Sequence, residues 1–130
     1  MITWNNLDKL TSYQELEKTE SVDLAAVMAG ENGAERVKNY NVPMAEGLAY
    51  NYAAKKVDDT VLSALEKLAE EAQLTEKFEA LYNGEVVNTG EKRLVLHHMT
   101  RGQLGDAVVA DGVDKRTFYV EQQKKIAEFA

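Results

Sequence analysis

The chain has 130 residues, 45% of them hydrophobic and 28% charged, with one proline, eight glycines and no cysteine, which is one domain's worth of sequence. That length can bury a core without disulfides or a structural metal, and the lack of cysteine rules out a disulfide framework, a thiolate zinc site and a cysteine nucleophile. A net charge of −7, from 22 acidic against 15 basic side chains, works against phosphate backbones and anionic membranes, so neither a nucleic-acid nor a membrane partner is expected. The richest apolar run, Leu24 to Ala29, is far shorter than the ~20 residues that span a bilayer. The opening residues, Met1 to Asn6, have neither the basic start nor the apolar centre of a signal or transit peptide, and a reducing compartment is compatible with the composition.

In chain order, Ser12 and Glu15 form a capping-box pair ahead of a short helix over residues 13–19, in which the serine hydroxyl meets the Glu15 amide and the glutamate reaches back. Ser21 is a candidate cap for a second helix that carries the Leu24 to Ala29 run, with Asp23 in its first turn and Gly30 at its end. Asn32-Gly33 marks a turn, residues 34–40 hold one or two helical turns, and Pro43 stops them. From Gly47 the period shifts to two: Leu48, Tyr50 and Tyr52 alternate with Ala49, Asn51 and Ala53, predicting a strand near residues 47–53 with an aromatic face.

The clearest helix begins after Asp58-Asp59. Val61, Leu62, Leu65, Leu68, Ala69 and Ala72 fall at spacings of three and four, opposite Glu66, Lys67, Glu70 and Glu71. Thr75 is the predicted cap of a further helix whose Phe78, Leu81 and Tyr82 share a face and which ends at Asn83-Gly84. Residues 94–99 are apolar but too short for periodicity to separate strand from helix. Residues 106–110 and the Asp111-Gly112 dipeptide predict a short hairpin near residues 107–116. A last helix over residues 117–130 sets Tyr119, Gln122, Ile126, Phe129 and Ala130 on one side and runs to the final residue without a terminator, so a continuation of the native chain is expected, with Ile126 and Phe129 partly uncovered here. The fold class expected is mainly α with small β-elements, in one domain over residues 1–130.

Candidate chemistry is sparse. His97 and His98 are the two imidazoles, but neighbouring residues point apart on strand or helix, so a structural role for both is the better reading. Asp58-Asp59 and Glu70-Glu71 are paired carboxylates, the first placed to complement a helix dipole and the second on a solvated face. Gly102-Gln103-Leu104-Gly105, after Arg101, has a GxxG spacing without the basic surroundings of a nucleic-acid clamp, and Gly90-Glu91-Lys92-Arg93 lacks the first glycine and the hydroxyl of a phosphate loop. The six tyrosines and one tryptophan read as core and contact aromatics. Nucleophile, base and oxyanion donor do not assemble, so no catalytic, cofactor-binding or metal-binding residue is assigned.

Four blocks in order resemble the N-terminal part of the glucose-6-phosphate isomerase (phosphoglucose isomerase) family. They are Gly47 through Lys55 with Lys56-Val57, the Asp58-Asp59 helix to Ala72, Leu74 through Thr89, and Arg93-Leu94-Val95-Leu96-His97. These match the family's DYSK strand, its acidic-capped helix, its LxxKxxAMFxGExIN segment and its RxVLHxALR segment. Here DYSK is replaced by Asn51-Tyr52-Ala53-Ala54-Lys55, TENR by Gly90-Glu91-Lys92-Arg93, and ALR by Met99-Thr100-Arg101. The resemblance implies a cytoplasmic, homodimeric parent enzyme without a cofactor, part of an α/β sugar-isomerase-domain architecture. It implies interconversion of glucose 6-phosphate and fructose 6-phosphate through an enediol, for glycolysis and gluconeogenesis. The family's catalytic glutamate, histidine, lysine and arginine and its phosphate loop are expected beyond residue 130, leaving residues 1–130 catalytically silent and partnered by the rest of the parent chain. The reading from a different class is a free-standing acidic helical protein-interaction module, which a reading frame continuing past Ala130 into a glycine-rich phosphate loop would exclude.

Overall fold

The computed structural model describes residues 1–102 and 105–130. They divide into two compact units, Asn5–Ala72 and a second made of Met1–Trp4 with Gln73–Ala130. Helices dominate, and each sheet among the described residues is a two-stranded antiparallel pair, the mainly α class with small β-elements that the sequence predicts.

In the Asn5–Ala72 unit, helix α1 (Thr11–Leu16) follows a 3-10 turn at Leu7–Lys9 and packs against helix α4 (Asp59–Glu71), with Leu10 and Ala72 buried nearby. The expected Ser12–Glu15 capping box does not form. Leu10 is the cap position, and the amide and hydroxyl of Ser12 both donate to the Glu71 carboxylate instead. With the cap at Leu10, Ser12 lies in the first turn of α1, where its amide has no partner within the helix, and α4 delivers a charged acceptor to it. Helix α2 (Leu24–Ala29) is capped by Asp23, whose carboxylate accepts from the Ala26 amide at 3.1 Å, rather than by Ser21. Helix α3 (Gly33–Asn39) follows at once, and a Cβ at Gly33 would sit 2.1 Å from the Met28 carbonyl oxygen, so only glycine permits this close approach.

Strand β1 (Asn41–Pro43), where the sequence predicts only the stop of a helix at Pro43, pairs with β2 (Ala49–Asn51), Val42 lying opposite Tyr50. A two-stranded ribbon is all edge, so a proline is tolerated in it. The strand is shorter than expected, yet its aromatic face is present: Tyr50 stacks on Tyr52 and Tyr52 on Tyr40, with centroids 6.3 and 5.0 Å apart. Helix α4 begins as predicted, with the Asp58 carboxylate accepting from the Val61 amide at 2.9 Å. Val61, Leu62, Leu68 and Ala69 are half-buried along its apolar stripe.

In the other unit, helix α5 (Leu74–Tyr82) starts from Gln73, which has φ +54°, and Thr75 lies in its first turn instead of capping it. The Gln73 side chain accepts from the amide and hydroxyl of Thr3 at 2.8 and 3.0 Å, tying the N-terminal residues to this unit. Gly84 ends α5 with φ +74°, and a Cβ there would lie 2.3 Å from Val108. Strands β3 (Val86–Asn88) and β4 (Arg93–Leu94) form a hairpin with a register shift. The undecided segment therefore splits, Leu94 in β4 and His97–Thr100 in a 3-10 turn. Leu96, Met99 and Val108 are the buried core, flanked by Leu94 and Tyr119.

The predicted hairpin is present as β5 (Val109–Ala110) and β6 (Val113–Asp114), closed by Asp111 and Gly112 at φ +54° and +73°. Positive φ at both central positions gives the turn twist that two-residue hairpins favour. Helix α6 (Lys115–Phe129) begins two residues before the predicted Thr117, because Asp114 caps it and accepts from the Arg116 amide, the Thr117 amide and the Thr117 hydroxyl. Tyr119 and Gln122 are half-buried, whereas Ile126 and Phe129 are 68% and 95% exposed, uncovered as expected.

Candidate functional site

The two histidines part company. His97 is exposed, and its carbonyl accepts from the Thr100 hydroxyl at 2.8 Å. His98 turns inward, stacks on Tyr82 with centroids 4.9 Å apart, and its Nε2 donates to the Tyr82 carbonyl at 3.1 Å. A carbonyl partner fixes the Nε2-protonated tautomer. Its Nδ1 is buried and without a hydrogen-bond partner among the described residues. One imidazole in solvent and one against a tyrosine cannot share a metal ion, and no group of three His, Asp or Glu side chains among the described residues is placed to hold one.

The carboxylates work as caps. Asp58 caps α4, and Asp59 in its first turn accepts a long bond from the Tyr40 hydroxyl at 3.4 Å. Glu70 is exposed as expected, but Glu71 is not simply a solvated charge: it accepts from the Thr11 amide at 3.2 Å, the Ser12 amide at 2.8 Å and the Ser12 hydroxyl. The Ser12 hydroxyl first, then its amide, hold the Glu71 carboxyl below the usual range. Asp114 is lowered in the same way, chiefly by the Thr117 hydroxyl. In both pairs the hydroxyl is spent on a helix terminus, and no imidazole shares it.

Gln103 and Leu104 of the GxxG spacing lie outside the described residues. Gly90 and Glu91 form the exposed turn between β3 and β4, where Glu91 lies 3.8 Å from Arg93 and its amide donates to Asn88.

Sequence reading missed two buried arginines, one in each unit. Arg36, on α3, is 7% exposed. Its Nε donates to the Ala53 carbonyl at 2.8 Å, its Nη2 donates to those of Lys55 and Val57 at 2.9 and 2.7 Å, and its guanidinium lies 4.1 Å over the Tyr40 ring. Arg116, on α6, is 6% exposed. Nε donates to the Asp106 carbonyl at 2.5 Å and Nη2 to that of Tyr82 at 3.1 Å, with the Tyr82 ring 5.4 Å away. Each fork gathers carbonyls outside the strand ladders, from the loop after β2 for Arg36 and from the end of α5 and the Asp106 loop for Arg116, so the cation is held by backbone dipoles and an aromatic face. The signal for them is structural: a loop with several unpaired carbonyls needs a multiple donor.

Two open clefts accompany these clamps. One, of about 450 Å³, is lined almost wholly by apolar atoms between Val42, Tyr50 and Tyr52 on the hairpin and Leu62 and Leu65 on α4. The other, of about 370 Å³, lies along the start of α6 among Asp114, Arg116, Thr117, Glu121 and Lys124. Neither gathers an acid, a base and an anion-binding loop in one place.

The family model described as Phosphoglucose isomerase matches residues 51–130. Over 98% of its length the chain is 52% identical to a protein of Treponema denticola named glucose-6-phosphate isomerase, of which it covers 25%. It is 39% identical over 99% of its length to the protein of that name from Treponema pallidum, covering 25% of it. With the Borreliella afzelii protein of that name the identity is 37% over the full chain, covering 24%. What geometry leaves unassigned, these matches supply as a class: each relative bears the name of a sugar-phosphate isomerase. The chain belongs to the phosphoglucose isomerase family, and it spans about a quarter of the length of the curated relatives it matches. Among the described residues no helix is long and apolar enough to cross a membrane.

Proposed function

We propose that residues 1–130 are the N-terminal part of a cytoplasmic, homodimeric isomerase that interconverts glucose 6-phosphate and fructose 6-phosphate in glycolysis and gluconeogenesis, without a cofactor. The observation that carries this reading is similarity over nearly the whole chain to about a quarter of proteins bearing that activity in their name. Aldose–ketose isomerisation needs an acid/base pair to open the ring, a carboxylate to move a proton between adjacent carbons through an enediol, and donors to stabilise the developing oxyanion. The described residues supply capped helices, clamped loops and an apolar cleft, and their two short hydroxyl–carboxylate contacts are committed to helix ends.

The chemistry accordingly belongs to the rest of the parent chain, and residues 1–130 act as a structural part of it, catalytically silent alone. The test is a coupled assay of fructose 6-phosphate conversion, comparing this chain with the parent protein at equal molarity. Activity confined to the parent supports the reading. Turnover by residues 1–130, or a parent without turnover on this substrate pair, overturns it.

A further inference from the structure

The chain has three dipeptides in which glycine follows asparagine or aspartate: Asn32-Gly33, Asn83-Gly84 and Asp111-Gly112. At such pairs the glycine backbone nitrogen can attack the preceding side-chain carbonyl carbon and close a five-membered succinimide. Asparagine loses ammonia in that step and aspartate loses water. Water then opens the ring at either carbonyl, giving aspartate or isoaspartate, the latter with an extra methylene in the main chain. In an unstructured peptide the asparagine pairs react faster, because an amide releases its leaving group more readily than a carboxylate.

The fold holds back both asparagine pairs. The Gly33 nitrogen donates to the Gly30 carbonyl at 3.0 Å, and Gly33 is buried against the Met28 carbonyl. The Gly84 nitrogen donates to the Leu81 carbonyl at 3.1 Å, and Val108 fills the space beside it. Each nitrogen must break a hydrogen bond and move its neighbours before it can reach its own side chain. Asp111-Gly112 carries neither restraint. The Gly112 nitrogen makes no hydrogen bond among the described residues, nothing lies within 4 Å of where its Cβ would be, and the Asp111 side chain is 96% exposed with only the Lys115 ammonium at 4.0 Å.

We propose that Asp111 is the site of spontaneous isoaspartate formation in the folded chain, converting ahead of Asn32 and Asn83. The position matters to the fold. A methylene added between β5 and β6 breaks the register of Ala110 with Val113, in the hairpin that sets Asp114 at the head of α6. The modification thus strikes the link between α6 and the Val108 core.

The experiment ages the chain at neutral pH in heavy-oxygen water, natively and in concentrated urea. Peptide mass spectrometry then locates the incorporated oxygen, and isoaspartyl methyltransferase labelling counts the isomerised sites. The expected native order is Asp111 first. In urea the conversion of Asn32 and Asn83 should rise by about tenfold or more as their protection is lost, and they should overtake Asp111. Asp111→Glu, which closes no five-membered ring, should remove most of the native label. Conversion of Asn32 or Asn83 ahead of Asp111 in the folded chain, the same order with and without urea, or native methyltransferase labelling unchanged by Asp111→Glu would each overturn the proposal.

Discussion

Glu71 caps a helix that begins 60 residues before it: its carboxylate accepts from the backbone amide of Ser12 at 2.8 Å and from the Ser12 hydroxyl. The two ends of the Asn5–Ala72 unit are thereby closed by one charged contact. The anion sits where the first amides of α1 lack partners, which is the end of a helix dipole that favours negative charge.

This contact predicts an acid-side loss of stability. The Glu71 carboxyl is lowered in the folded chain from its usual 4.5. A carboxyl lowered by folding contributes stability above its unfolded value, and that contribution disappears as pH falls through the folded one. Asp114, lowered chiefly by Thr117, acts in the same direction. Thermal melts from neutral pH into the acid range should fall more steeply for the parent sequence than for Glu71→Gln, which starts lower and flattens the dependence. Parallel pH profiles would contradict the capping role.

Arg36 should be among the most sensitive positions in its unit. Replacing it by Met leaves the Ala53 and Val57 carbonyls without this donor, while that of Lys55 keeps the Val57 amide, and costs about 1–3 kcal/mol, chiefly from the buried Ala53 acceptor left unpaired. Lys keeps the charge but not the fork, so Arg36→Lys recovers only part of the loss. Urea unfolding of the two variants measures this, and a Lys variant as stable as the parent would show that charge alone suffices.

Gly84 and Val108 should be coupled. Gly84→Ala places a methyl against Val108 and puts an L side chain at φ +74°, costing about 1–3 kcal/mol in total. Adding Val108→Ala relieves the clash but not the backbone strain, so the double variant should lose less than the sum of the single losses. Strict additivity in the cycle would place the whole cost in the backbone.

Legibility in the sequence follows the range of the forces involved. Helix α4 is readable because its apolar spacing, its Asp58 cap and its solvated face are all local, and the β5–β6 hairpin because Asp111-Gly112 specifies its own turn. The β1 strand carries no such signal: Asn41–Pro43 is extended because β2 pairs with it. Ser12 departs from its expected role because Glu71 arrives from the far end of the unit, and Thr75 because Gln73 turns the chain two residues earlier. The buried arginines were invisible, since their charge predicts exposure and only the unpaired carbonyls of distant loops draw them in. At the candidate site, residue types alone indicated structural histidines, and His98 against Tyr82 has that character. The family was legible through four ordered blocks, which geometry alone does not reveal.

On the proposed function, residues 1–130 contribute structure, not catalytic groups, to a glucose-6-phosphate isomerase. Coupled turnover of fructose 6-phosphate by residues 1–130 tests it most directly. The account predicts background rate for the chain and for its His97→Ala and His98→Ala variants alike; measurable turnover abolished by either substitution would contradict it.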